Sequence, residues 1–387
     1  MRRFASALLA LAASAVPLAV YCQPAPSGDA VAPAVRVGAD RRAELLAILL
    51  KLAGNPEYNQ NRLEPYNADI QRQFGPFRAH EAVARARALA QQRGTGYDAV
   101  MALAIRLTDP PALAERAAFD SAAEPRLPPG ETRAFLAAAR RFVADAHADQ
   151  FFAAHQALYD SATARLRRVV GRYDAAGWEG RFFGTAPDRA FVVVPLLANS
   201  GGNFGPCVQP TTPAGAPKEC YAVLGHEETD AAGFPTYGDG LVLTFVHELT
   251  HGYANPLGDA HRAEFARSAP RVHAFVADQM RRQGYGDDWM IMVNESLVRA
   301  AVARYGMTLG NPAAVERYLA GERARGWVWI DDLVALLGAY EADRRAYPTF
   351  AAFMPRVVAF YDALPARMPE LVRRYGAPRP AGPGGGP

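Results

Sequence analysis

The spacing of apolar residues along the chain changes period twice. Over 41–53, 79–93 and 97–107 apolar side chains recur every three to four positions, the mark of amphipathic helices. Asp40 is the expected N-cap of the first, and Gly54-Asn55-Pro56 its stop. The segment 124–130, with three prolines and a glycine, breaks the pattern as a hinge or a long inter-helix turn, and one long helical stretch is expected over 131–173. From Trp178 the texture changes. Residues 189–197, with Phe191-Val192-Val193-Val194 at their centre, read as a strand, and 220–224 as a second that forms a hairpin with it. Helical spacing returns at Gly240 and is expected to end at Ala254-Asn255-Pro256, because proline cannot continue a helix. More helices are expected over 260–283, 289–305, 312–325, 331–345 and 349–374.

This pattern predicts an α+β fold, predominantly helical, with a helical N-terminal lobe over 40–177. The region 178–375 carries a small β-sheet beside the helix that begins at Gly240. The Pro-, Ala- and Gly-rich segment 23–39 reads as a disordered tether, and 376–387 as a disordered tail.

The helix at 240–253 contains Val246-His247-Glu248-Leu249-Thr250-His251, an HExxH signature. Residues four apart on a helix are separated by about 400°, so His247 and His251 share a face and can reach one cation. Glu248 lies beside the first histidine, placed to touch a water on the metal without ligating it. Val242, Val246, Leu249 and Tyr253 fall in an arc roughly 150° away, so one face packs while the other presents imidazoles. The structural alternative is two histidines on an ordinary helix. His147, Phe151 and His155 also repeat every four residues, and packing is the preferred role for them over lining a cleft. His226-Glu227-Glu228-Thr229-Asp230 begins like a second signature but ends in Asp within a Gly- and Pro-flanked loop.

A catalytic zinc takes a third protein ligand. Glu295 is the candidate: it lies on an apolar helix with Ile291, Val298 and Val302 around it, where a carboxylate needs a partner. Arg299, four residues on, is the rival partner or a supporting contact. Asp259 and His261 are the alternative ligands. Tyr253, His261, Arg299 and Tyr305 are the candidate donors to a developing oxyanion.

Composition limits the partners. The net charge of +3 is small and the arginines alternate with Asp and Glu, so no nucleic-acid patch is read. Residues 1–22 have the form of a secretory signal, with Arg2 and Arg3 before an apolar run; lipidation at Cys22 is disfavoured by the bulky Tyr21. A periplasmic or secreted protein without a stable membrane span after cleavage is expected. In that compartment Cys207 and Cys220 form a disulfide, contributing about 3 kcal/mol in the chain-entropy model; two buried thiols are the alternative.

The pairing of Phe245-Val246-His247-Glu248-Leu249-Thr250-His251-Gly252 with Asn294-Glu295-Ser296-Leu297-Val298-Arg299-Ala300 resembles the gluzincin group of zincin metallopeptidases. More narrowly the chain resembles a bacterial family of secreted proteins described as a domain of unknown function, in which HExxH is followed by an Asn-Pro pair, here Asn255-Pro256. The resemblance covers about 191–305 and implies a zincin-like fold, Zn2+ on His247, His251 and Glu295, and hydrolysis of a peptide or protein substrate with Glu248 as general base. A non-catalytic envelope binding protein that keeps a structural zinc site, and a zinc amidase acting on cell-wall peptide, are the competing expectations.

Overall fold

The computed structural model describes residues 35–60, 63–119, 124–185, 189–199, 202–226 and 228–375. The expected signal sequence, most of the tether and the tail lie outside them. The described chain is predominantly helical with a small mixed sheet. In order it runs β1 (Val35–Val37), α1 (Arg41–Ala53), α2 (Glu64–Phe74), α3 (Glu81–Arg93), α4 (Tyr97–Ala104), α5 (Pro129–Asp145), α6 (Ala148–Ala154), α7 (Gln156–Val170) and α8 (Ala175–Phe183). There follow β2 (Arg189–Pro195), β3 (Asn203–Phe204), β4 (Cys207–Val208), β5 (Lys218–Leu224), β6 (Glu228–Thr229) and β7 (Pro235–Thr236). The remainder is α9 (Leu241–Ala260), α10 (Arg262–Phe265), α11 (Ala269–Arg282), α12 (Trp289–Thr308), α13 (Pro312–Ala324), α14 (Ile330–Ala342) and α15 (Phe350–Tyr375).

The sheet is a wall between two cores. Alternate residues of a strand face opposite sides. Phe191, Val193, Cys220, Ala222 and Leu224 therefore pack with α9, α12, α14 and α15, while Val194, Tyr221 and Val223 pack with α1 and the N-terminal helices. Burial on both faces explains why β2 is a continuous run of apolar residues and not an alternating one. It also means that packing crosses the division read at 177/178, because strands from the second region complete the first region's core. α1 runs through that core buried all round, and its Glu44 carboxylate accepts the N–H groups of Leu197 (2.5 Å) and Ala198 (3.0 Å) just past β2. Burial pushes the Glu44 pKa up to about 7 against these favourable contacts.

Four expectations are corrected. The tether ends sooner than residue 39, since Val35–Val37 pairs in parallel with Phe191, Val192 and Val193 and caps the sheet edge. β2 and β5 are parallel rather than a hairpin. The connection between them is long enough to lay β3 and β4 antiparallel on the far side of β5, and it is this β4–β5 ladder that pairs Cys207 with Cys220 as the disulfide. The stretch 131–173 is three helices, because His147 adopts a left-handed conformation (φ 49°) and the chain turns again at His155.

The fourth correction concerns α9, which continues through Pro256 to Ala260. Proline lacks the N–H that would bond to the carbonyl four residues earlier, that of Gly252. Arg189 of β2 donates to the Gly252 carbonyl in its place, and its guanidinium lies 4.2 Å from the centre of the Tyr253 ring. The missing side chain at 252 makes room for this contact. A Cβ there would lie 2.9 Å from Cys220 Sγ and 3.1 Å from Cys207 Sγ, so the disulfide rests on bare backbone one residue after His251. Gly252→Ala is therefore expected to destabilise the fold by about 1–3 kcal/mol, since a disulfide cannot swing aside. A lowered denaturant midpoint with unchanged slope would show it; an unchanged midpoint would reject the close packing.

Candidate metal centre

α9 and α12 build the site by lying side by side. The inward stripe of α9, with Val242, Val246, Leu249 and Tyr253, is buried in the core, leaving His247, His251 and Asn255 on the opposite stripe at successive steps of four. α12 is buried nearly all round, and Glu295 projects from it towards the two imidazoles. His247 Nε2 and His251 Nε2 are 3.2 Å apart, His247 Nε2 is 3.6 Å from Glu295 Oε2, and His251 Nε2 is 3.5 Å from Glu295 Oε1. Asp259 and His261, the alternative third ligands, are turned elsewhere: Asp259 accepts from Asn294 and His261 pairs with Glu264.

Three acceptor groups at this spacing need something between them. His251 Nδ1 lies 3.1 Å from Asn255 Oδ1, an acceptor, so Nδ1 carries the proton and Nε2 turns its lone pair inward. Burial, and then nearby positive charge that includes Arg299 and Arg325, hold the His247 pKa well below its usual value, so that ring is neutral. A metal bound tetrahedrally at about 2.0–2.2 Å from N and O donors would set those donors about 3.4 Å apart, which is the spacing found here. The donor set therefore fits a divalent cation such as zinc. His247, His251 and Glu295 are the group of potential ligands that the described residues assemble.

Behind Glu295 stands a buried chain of charge. Arg299 bonds Glu295 Oε2 through Nη1, Glu322 Oε2 through Nε at 2.9 Å, and the Tyr285 hydroxyl through Nη2 at 2.8 Å, while the Trp327 ring lies 4.7 Å from its guanidinium. Every side of this buried cation is used, which is why α12 tolerates it in an apolar core. The Tyr285 hydroxyl also reaches Glu295 Oε2 at 3.4 Å. Of the proposed supporting residues only Arg299 is at the site. Tyr253 stacks on Phe183 on the packing face, and Tyr305 lies against Trp178.

Glu248 is buried next to this group. Burial and the neighbouring Glu295 charge push its carboxyl well above the usual range, opposed by Arg299. Gly205, in the turn between β3 and β4, approaches it so closely that a Cβ there would lie 2.5 Å from the Glu248 carbonyl oxygen and 3.0 Å from Oε2. On the rear of α9, Thr250 Oγ1 sits between Glu179 Oε1 (2.6 Å) and the Val246 carbonyl (2.7 Å). One hydroxyl proton cannot serve both acceptors, and Glu179 Oε2 has no partner among the described residues. A protonated Glu179 resolves the conflict by donating to Thr250, and burial pushes its pKa up to about 8 accordingly.

Tyr285, Glu322 and Glu179 are not singled out by the sequence, and Asn255 is marked there only as half of the Asn-Pro pair. Asn255 was within reach, standing four residues beyond His251 on the same helical face. Tyr285 lies in the loop between α11 and α12, flanked by Gly284 and Gly286 with φ of 86° and 65°, and nothing local points it at the site.

Two predictions follow from this arrangement. The purified protein is expected to hold about one zinc per chain, Glu295→Ala to lose most of it, and Asn255→Ala to weaken its affinity by about 10–100-fold; metal retained in Glu295→Ala would remove Glu295 from the ligand set. For Glu179 the folded pKa of about 8 lies above the unfolded value near 4.5, so its contribution is whole below about pH 4.5 and lost as pH rises towards 8, at up to tenfold in the folded-to-unfolded ratio per pH unit. Glu179→Gln should flatten that fall in thermal stability. An identical pH profile would show that Glu179 is not protonated in the folded chain.

No curated protein and no solved structure matches the chain. The family described as Domain of unknown function (DUF4932) matches residues 35–360, from β1 into α15 and across all three candidate metal ligands, and the chain belongs to that family.

Proposed function

We propose that the protein is a zinc-dependent peptidase of the gluzincin type that hydrolyses peptide bonds. The observation that carries this reading is the convergence of His247 Nε2, His251 Nε2 and the Glu295 carboxylate within 3.2–3.6 Å, with the buried Glu248 carboxyl beside them. A structural zinc site has no use for that fourth group, whereas hydrolysis does.

His247, His251 and Glu295 would hold the zinc, which when bound supplies Lewis acidity to a water and to a carbonyl oxygen. The chain's own groups do the rest. Asn255 fixes the His251 tautomer, and Arg299 with Tyr285 holds the Glu295 carboxylate in place. Glu248 takes a proton from the attacking water as the new C–O bond forms, and returns it to the amide nitrogen as the C–N bond breaks. Its burial excludes competing solvent and strengthens its interaction with the groups nearby. The β3–β4 segment, with Gly205 against Glu248, is the sheet edge along which an extended peptide would lie and form backbone hydrogen bonds. Arg299 is engaged on every side and is a positioning residue on this reading, not the oxyanion donor.

The Cys207–Cys220 disulfide suits an oxidising compartment, and no helix of the described residues is long and apolar enough to cross a membrane. The disulfide supports a periplasmic or secreted enzyme.

Glu248→Gln keeps the shape of the side chain and removes the base. It should cut hydrolysis of an unfolded protein substrate by about 10²–10⁴-fold while zinc content stays the same. Hydrolysis at the wild-type rate in a zinc-loaded Glu248→Gln protein would overturn the mechanism.

A further inference from the structure

A second group of cations belongs to α7 and the turn that follows it. Arg165, Arg168 and Arg172 stand at successive steps of three and four, the spacing that brings side chains to one face. With β7 and the residue after it they enclose a concave space of about 280 Å³, lined by these three arginines, Val169, Thr236 and Tyr237. None of these residues takes part in the candidate metal centre.

Two of the guanidiniums are held and one is free. Arg165 Nη2 meets Asp230 Oδ2 at 2.7 Å, its Nη1 donates to the Pro235 carbonyl at 3.3 Å, and the Phe234 ring lies 5.4 Å away, so the β6–β7 turn fixes it in place. Arg172 Nη1 meets Asp239 Oδ1 at 2.6 Å, but these side chains are 58 % and 64 % exposed, and such a pair contributes little and yields to a competing anion. Arg168 is exposed and has no hydrogen bond or ion pair among the described residues. Neither the Thr236 hydroxyl nor the buried Tyr237 hydroxyl has a hydrogen-bond partner among them. Glu228 stands opposite Thr236 in the β6–β7 ladder and bonds none of the three arginines. Cations are favoured at the end of a helix, which accounts for a basic residue at 168 and for Arg167, turned to the Val37 carbonyl at 2.9 Å. It does not account for three guanidiniums around one space.

The donors decide the class of ligand. A carboxylate offers two oxygens, fewer than three guanidinium forks and a hydroxyl can fill. A phosphate monoester offers three strong acceptor oxygens and about two negative charges, in a geometry that guanidinium forks match. Val169 and the Tyr237 ring give the same space an apolar side, on which the organic part of an ester can rest. We propose that this pocket binds an organic phosphate monoester, with Arg168 as its principal donor and Arg165, Arg172 and Thr236 around it. The ester is either a small soluble molecule or the headgroup of a lipid, and the recognition is the same for both. This site stands whether or not the metal centre hydrolyses peptides.

The test uses the full chain, zinc-loaded, beside its Arg168→Gln and Asp239→Asn variants. Calorimetric titration at near-physiological salt reads the binding of phenyl phosphate and of benzoate. Sedimentation reads binding to vesicles of equimolar phosphatidylcholine and phosphatidic acid, against vesicles of phosphatidylcholine alone. Phenyl phosphate should bind about tenfold more tightly than benzoate, and Arg168→Gln should weaken it about tenfold with no change in thermal midpoint, since Arg168 bonds nothing in the folded chain. Asp239→Asn should tighten it by freeing Arg172, a gain that a merely structural role for these residues does not produce. Arg168-dependent binding of phenyl phosphate alone identifies a soluble ester, whereas capture by phosphatidic acid vesicles that Arg168→Gln abolishes identifies the headgroup. No binding of phenyl phosphate or of either vesicle, binding no tighter than that of benzoate, or binding that Arg168→Gln leaves intact, as binding at the zinc would be, overturns the proposal.

Discussion

The candidate metal centre depends on a carboxylate buried where water cannot solvate it. Glu295 sits on a helix otherwise given to the core, and an isolated charge there would be prohibitive. Arg299 compensates it from one turn away, yet Arg299 needs compensation in turn and finds it in Glu322, Tyr285 and the face of Trp327. These partners come from α13, the loop before α12 and the turn before α14. The geometry of one candidate ligand is thereby fixed by three separate parts of the chain, and removing any member takes a contact from a charge that stays buried.

A backbone problem on α9 is solved in the same way. Pro256 takes away a hydrogen bond in the last part of the helix, and Arg189 supplies it from the sheet. The solution needs a residue at 252 with no side chain, and the space left there admits the disulfide. Helix, strand and disulfide meet at one peptide unit, next to His251. The Asn-Pro pair after the signature now has two physical meanings: Asn255 orients the His251 ring, and Pro256 leaves the carbonyl that draws Arg189 in.

Much of this was legible before the structure, and the limits are instructive. Helix positions followed from spacing, and the two histidines from a separation of four, because both are local consequences of 3.6 residues per turn. Glu295 was legible because a carboxylate amid Ile291, Val298 and Val302 is an anomaly that asks for a partner. Strand partners were not, since the choice between a hairpin and parallel pairing is made by contacts far apart in sequence, and β1 is only three residues in a Pro- and Ala-rich segment. The continuation of α9 failed for a related reason: whether a proline ends a helix depends on who satisfies the orphaned carbonyl, and Arg189 is 63 residues away. Tyr253 and Tyr305 were named for their chemistry and proximity in sequence, but the helices turn both into packing contacts.

The two-faced sheet also sets the order of events when the chain folds. β1 pairs with β2 across more than 150 residues, and the N-terminal core lacks its wall until β5 has been made. Everything before residue 218 can form helices, but the core around them lacks Tyr221 and Val223 until β5 is made. Such long-range closure is slow and leaves apolar surface uncovered for the duration. The nascent chain therefore passes through a long interval in which its first eight helices precede the strand that completes the sheet, and that strand joins both cores at once.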